Sequence, residues 1–171
     1  MNHWKKNWNF QINLIRAIDG TEHPRDRLVV KESTYHTGKK KFSTLMSLAI
    51  CDFKGKLIAF ETGIDGQNND SGAYKIREMK KKVKASGYKL LVDGEFGEKE
   101  MIKPFQKKNQ ERLSQIEWET KQKQCITRSV IENVFAYMKK YKVAKYQVKI
   151  SVKLQTRALK SIAVCYQIQK T

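Results

Sequence analysis

Cysteine and histidine are both scarce in this chain, and neither is spaced for metal. Cys51, Cys125 and Cys165 are odd in number and far apart, with no Cys-x-x-Cys pair. That pattern argues against a disulfide framework or a zinc knuckle and predicts buried, reduced thiols. His3, His23 and His36 show no ligand spacing and read as surface or turn residues. Any metal site must therefore be built from carboxylates. No apolar run approaches the ~20 residues of a membrane span. The N-terminus has Trp4-Lys5-Lys6-Asn7-Trp8 where a signal peptide would have an apolar core. The expectation is an intracellular protein with no membrane partner.

Acids are also in short supply, 17 Asp and Glu against 35 Lys and Arg, which leaves a formal charge of +18. Such a field condenses on polyanions, so nucleic acid is the first partner to consider. A basic structural protein of the ribosomal kind fits the charge equally well. With 171 residues, 40% hydrophobic and 10% aromatic, the chain has enough apolar content to fold as one domain.

Along the chain, residues 1–14 have no clear period and read as a lead-in or linker remnant. Ile12 to Ile18 reads as a strand that ends in Asp19-Gly20, and the polar stretch from Gly20 to Lys41 reads as a long loop or hairpin. Phe42 to Cys51 and Lys56 to Thr62 form a hairpin around Asp52-Phe53-Lys54-Gly55. After a polar loop, Ala73, Ile76, Met79 and Val83 recur at helical spacing, predicting a helix over 71–86 that stops at Gly87. Tyr88 to Val92 is a fourth strand ending in Asp93. A βββαβ order with that strand beside the first would place Asp19 and Asp93 on neighbouring strand ends. Gln106 to Gln124 reads as a loop or excursion. The stripes Ile126, Val130, Val134, Met138, Tyr141 and Leu154, Ala158, Ile162, Cys165 or Tyr166 predict two closing helices. Val148, Ile150 and Val152 alternate as a short strand would.

From Lys121 to Thr171 there are twelve Lys or Arg and one carboxylate, Glu132. It lies four residues after Arg128 and seven before Lys139, so the three share one side of a helix. An Arg128–Glu132 helix pair is the plain explanation, worth only ~0.3–0.5 kcal/mol. Three acids on two strand ends and a closing helix offer another. Asp19, Asp93 and Glu132, brought together, would repel one another unless divalent cations lay between them, and hard oxygen ligands favour Mg²⁺ or Mn²⁺.

With these motifs in order, the sequence resembles the DDE-class transposases, in particular the IS5-like bacterial group and its Harbinger-like relatives. Ile18-Asp19-Gly20-Thr21-Glu22 is similar to the first acidic motif, and Tyr35-His36-Thr37-Gly38-Lys39-Lys40-Lys41 to the lysine-rich segment. Gly66 to Asp70 is similar to the glycine-to-His-Asp loop, and Leu91-Val92-Asp93 with Phe96 and Gly97 to the second acidic motif. Arg128 through Glu132 and Phe135 to Lys139 is similar to the closing signature. Ser43 stands where the family has histidine, Met46 where it has lysine, Asn69 in place of the loop histidine and Glu95 in place of glycine.

The resemblance implies a ribonuclease H-like mixed sheet flanked by helices, with the third acid on the C-terminal helices and residues 15–171 as one catalytic domain. It implies a DNA transposase catalytic domain, cleaving and joining strands at transposon ends by phosphoryl transfer with two Mg²⁺ or Mn²⁺ ions. Asp19 bridges the ions in this scheme, and Asp93 and Glu132 each complete one side. Asp70 is the alternative second acid, although it precedes a helix and suits an N-cap. Glu22 and Glu95 tune the site. Arg128 and Lys139 neutralise phosphate near the cut, and Lys39, Lys40 and Lys41 contact backbone farther off. Implied partners are transposon-end and target DNA, with a homodimer or a separate DNA-recognition subunit, since no recognition region fits ahead of Ile15. The compartment would be the cytoplasm or nucleoid for a bacterial insertion-sequence protein and the nucleus for a eukaryotic one. The alternative is a domesticated or decayed relative that binds DNA without cutting it.

Overall fold

The computed structural model describes residues 15–26, 43–68, 70–76, 79–93, 101–103 and 114–170. The expectations for residues 1–14, for Tyr35 through Lys41, and for Asn69, Glu95, Phe96 and Gly97 lie outside the described residues. The strands are β1 (Ile15–Pro24), β2 (Thr44–Cys51), β3 (Leu57–Asp65) and β4 (Lys89–Leu91). The helices are α1 (Asp70–Ile76), α2 (Met79–Ser86), α3 (Gln115–Met138), α4 (Lys142–Lys145) and α5 (Val152–Gln169).

The sheet order is β3-β2-β1-β4. β1, β2 and β3 pair antiparallel, and β4 lies parallel to β1, reached by way of α1 and α2. This is the mixed α/β sheet flanked by helices that the resemblance implies. β2 is buried along its whole length, which explains why its sequence is apolar without alternation: helices cover both faces. One core packs Ala17, Ala49 and Cys51 against Ile131, Val134, Phe135 and Met138 of α3 and Leu159, Ile162 and Tyr166 of α5. The other packs Ile18, Met46, Leu48, Ile50, Leu90 and Val92 against Ala73, Tyr74 and Met79.

The β2–β3 hairpin forms as expected. Backbone N–H groups of Lys54 and Lys56 both donate to Asp52 Oδ1 at 2.9 Å, and Gly55 takes φ +82°, a conformation that favours glycine. β3 runs on to Asp65, past the expected end at Thr62. The helix expected over 71–86 is two, α1 and α2, with residues 77 and 78 between them outside the described set. It stops at Gly87, at φ +69°.

Four other expectations are corrected. β1 does not stop at Ile18, because β2 offers it an antiparallel partner from Ala17–Cys51 through Pro24–Thr44. α3 begins at Gln115, inside the polar run expected to be a loop. Its Gln, Glu and Lys are good helix formers that carry no apolar period, and among the described residues the α3 side chains packed in the hydrophobic core begin at Val130. Val148, Ile150 and Val152 form no strand, since Ser151 caps α5 by accepting a hydrogen bond from the Leu154 N–H at 3.2 Å. The α5 stripe is offset, with Leu154 and Cys165 exposed and Gln155, Leu159, Ile162, Ala163 and Tyr166 buried. Likewise Tyr141 lies beyond α3, and Ile126 is exposed on it.

His23 is buried, not a surface or turn residue. Its Nδ1 donates to the Ala144 carbonyl at 2.9 Å, and Nε2 lies 2.9 Å from the Ser47 hydroxyl, which donates to Thr62 Oγ1 at 2.7 Å. A polar thread thus ties β1, β2, β3 and α4 together inside the core. Among the described residues no helix is long and apolar enough to cross a membrane.

Of the three thiols only Cys51 is buried; Cys125 and Cys165 are exposed, against expectation. Burial pushes the Cys51 thiol up to about 12, the Asp52 charge adding to the shift and Arg16 opposing it. At pH 8 a thiol reagent should titrate two cysteines quickly in the native protein. The third should react only as denaturant unfolds the sheet, and rapid native labelling of three would contradict this packing.

Candidate active site

The short parallel ladder positions the acids. Ile15 pairs with Lys89, Arg16 with Leu90 and Ala17 with Leu91. Two residues beyond the last pair come Asp19, still within β1, and Asp93, past the end of β4. Parity puts them on the same face. Ile18, Leu90 and Val92 point into the core under α1 and α2, so Asp19 and Asp93 point to the opposite side, with Ala17 toward α3. Asp93 sits just beyond a strand end, two residues past Leu91, where β4 stops short of the expected Val92. Asp19 does not: it lies inside β1, at the fork where β4 parts from it while β2 continues, paired with Ala49. The outer edge of β4 is held too, for Ile102 donates its N–H to the Leu90 carbonyl at 2.8 Å and accepts from the Val92 N–H at 3.1 Å.

α3 closes the fork from above. Ile131, Val134 and Phe135 seat it on Ala17 and Ala49, and this seating carries Arg128 and Glu132 to the acid side. Among the described residues, the ion pair of Arg128 runs not to Glu132 along its own helix but across the fork. Its Nη2 lies 3.2 Å from Asp93 Oδ2. The Arg128 side chain is 19% exposed and that of Asp93 55%. The Asp19 carboxyl is held above its ordinary value, chiefly by burial, with the charges of Asp93 and Glu132 adding to the shift. The Gly20 N–H, donating to Asp19 Oδ1 at 2.9 Å, and the Arg128 charge both oppose it. The charges of Asp93, Glu132 and Arg128 therefore all reach Asp19.

Asp70 approaches β1 from the other side. It opens α1 with its carboxylate against Gly20, so closely that a Cβ on Gly20 would run into it and into the Met46 methyl. Gly20 faces away from Asp19. The sheet thus groups Asp93 with Asp19, Arg128 and Glu132, and keeps Asp70 apart. Glu22 shares the Gly20 face and does not join Asp19. Ser43 and Met46 are buried. Lys139 is exposed just past α3, two turns or ~10 Å beyond Glu132. Sequence reasoning missed that Gly20 must be small, although a glycine inside a strand is itself a signal of close approach. It also missed that Arg128 turns to Asp93.

Among the described residues no three His, Cys, Asp or Glu side chains converge tightly enough to hold one ion as they stand. The donor chemistry still fits a hard divalent cation: carboxylate oxygens on one face, one of them part-buried and raised in pKa chiefly by that burial.

The raised Asp19 carboxyl has a definite consequence for stability. A group whose pKa is higher folded than unfolded favours the fold below its ordinary value, 3.8, and that contribution is lost as pH rises through the folded value. At neutral pH the ionised carboxylate therefore weakens the fold. Asp19→Asn should raise Tm at pH 7, by roughly 2–4 °C per kcal/mol recovered. The gain should shrink toward pH 4; thermal melts in which it stays constant across this range would contradict the assignment.

No curated protein and no solved structure matches the chain. The family model described as DDE superfamily endonuclease matches residues 18–168, a span that opens one residue before Asp19 and takes in Asp93, Arg128 and Glu132. With the β1–β4 fork and α3 arranged as above, the chain belongs to the DDE superfamily endonucleases.

Proposed function

We propose that the chain is the catalytic domain of a DNA transposase and that Asp19, Asp93 and Glu132 are its metal-binding acids. The observation that carries this reading is their placement: two strands and a helix from distant parts of the chain present three carboxylates on one face, and Asp70 lies on the other. Asp19, Asp93 and Glu132 would hold divalent ions, Mg²⁺ or Mn²⁺ and two in number, whose chemistry would be to activate a water or 3′-hydroxyl and stabilise a leaving oxygen. Asp19, the most enclosed of the three, would be the acid common to both ions. Asp93, half in solvent, and Glu132, exposed on α3, would each help to hold one of them.

The protein's own charge does the rest. A field of +18 would draw the phosphate backbone in, and Lys139, exposed beyond the same helix, would contact a flanking phosphate. In this reading residues 15–171 form one domain of the IS5-like and Harbinger-like kind, and a second copy or a separate subunit recognises transposon ends.

Purified protein should nick or cleave labelled DNA when Mn²⁺ is supplied. Asp19→Asn, Asp93→Asn and Glu132→Gln should each lower the rate at least about 100-fold, or ~2.7 kcal/mol in barrier, with DNA affinity kept or improved. Cleavage by these variants at the native rate would sink the assignment. DNA binding without metal-dependent cleavage by the native chain would instead make it a non-catalytic DNA-binding relative.

A further inference from the structure

The acid site already contains a cation. Arg128 cannot lose its proton at any relevant pH, and its side chain is largely enclosed. An enclosed guanidinium in a fixed structural role commonly uses its planar fork to make two parallel bonds to a carboxylate. Among the described residues, Arg128 instead meets Asp93 through Nη2 at 3.2 Å, and its Nε is buried with no hydrogen-bond partner. A buried donor left unsatisfied weakens the arrangement that leaves it so. Arg128 is therefore held at the fork by the charge of the acids more than by hydrogen bonding. Its charge acts on Asp19 as well as Asp93, spanning the fork as an ion between the strands would.

From this geometry we infer that Arg128 is an exchangeable counter-ion: it neutralises Asp93 until a divalent cation takes its place, and the freed guanidinium then binds DNA phosphate. This rests on the metal-site reading above. Displacement couples metal and DNA through one side chain. Metal binding must break the Arg128–Asp93 pair, so the pair lowers metal affinity; once broken, it releases an arginine whose planar fork matches phosphate. The coupling is reciprocal, so DNA that captures Arg128 strengthens metal binding by the same factor. An arginine that merely orients Asp93 for the metal has the opposite sign, because its removal weakens metal binding.

Mn²⁺ affinity, followed by the loss of the free-ion electron paramagnetic resonance signal, separates these cases without any need for cleavage. Arg128→Ala should bind Mn²⁺ about tenfold tighter than the native protein. Arg128→Gln, which keeps most of the packed stem, reports the same change should the alanine variant not fold. Asp93→Asn should bind DNA severalfold tighter than the native chain with no metal present, and that gain should vanish in the double variant with Arg128→Ala. Mn²⁺ binding by Arg128→Ala or Arg128→Gln that equals or falls below native overturns the counter-ion role while leaving the metal site standing. So does an Asp93→Asn gain that survives loss of Arg128. Absence of Mn²⁺ binding from native and Arg128 variants alike overturns both.

Discussion

Three parallel backbone pairs, Ile15–Lys89, Arg16–Leu90 and Ala17–Leu91, are the constraint on which the candidate site depends. They bring together two aspartates 74 positions apart and set them on one face. A slip of one residue would turn Asp93 to the α1–α2 side and put Val92 in its place, exchanging a buried apolar side chain for a charge. That exchange is what protects the register. Leu90 and Val92 are buried on one side and Leu91 on the other, so each of the three opposes the slip. The Arg16 guanidinium lies 4.2 Å from the centre of the Tyr88 ring, which pins the entry to β4 against β1 as well.

A strand this short would be a weak support alone, and its neighbours supply what length does not. β1 is ten residues long and antiparallel to β2 over most of them, so Asp19 sits on backbone fixed by the central ladder. Ile102 bonds to the outer edge of β4 on both sides of Leu91, so the segment leading into Asp93 is gripped from two directions. α3 is seated by Ile131, Val134, Phe135 and Met138 in the core beneath it. Arg128 and Glu132 are thus carried by a helix whose position is set by packing, not by the charges they bear.

Much of this was legible in the sequence, and the misses have physical causes. β2 and β3 announced themselves by apolar content and by Asp52 and Gly55 at the turn. Asp19 and Asp93 were visible as acids after apolar runs, and the DDE-class resemblance agrees with the family match over residues 18–168. Periodicity failed where an element is paired or packed on only part of its surface. Thr21, Glu22 and His23 look like a turn in the sequence, yet Thr21 and His23 are buried in β1, with His23 held between the Ala144 carbonyl and the Ser47 hydroxyl. The start of α3 was hidden because Gln and Lys predominate there. The direction of the Arg128 side chain could not be read from spacing, since helical geometry offered Glu132 at four residues just as readily as it offered Asp93 across the fork.

The opposite faces of β1 explain why two nearby acids have different surroundings. Asp19 and Gly20 are consecutive, so the strand sends one side chain toward α3 and leaves bare backbone toward α1, where the Asp70 carboxylate fits because there is no Cβ. Asp70 is thereby separated from Asp19 by the thickness of the sheet, although the two are close in space. An acid on the Asp70 side cannot share an ion with Asp19 unless the sheet is breached, whereas one on the Asp93 side needs only side-chain movement. That asymmetry lets a single arginine on α3 act on Asp19 and Asp93 together. It also bears on the isolation of Glu132: with no other acid from Lys121 to Thr171, the side-chain negative charge of this otherwise basic segment lies on α3, one turn from Arg128.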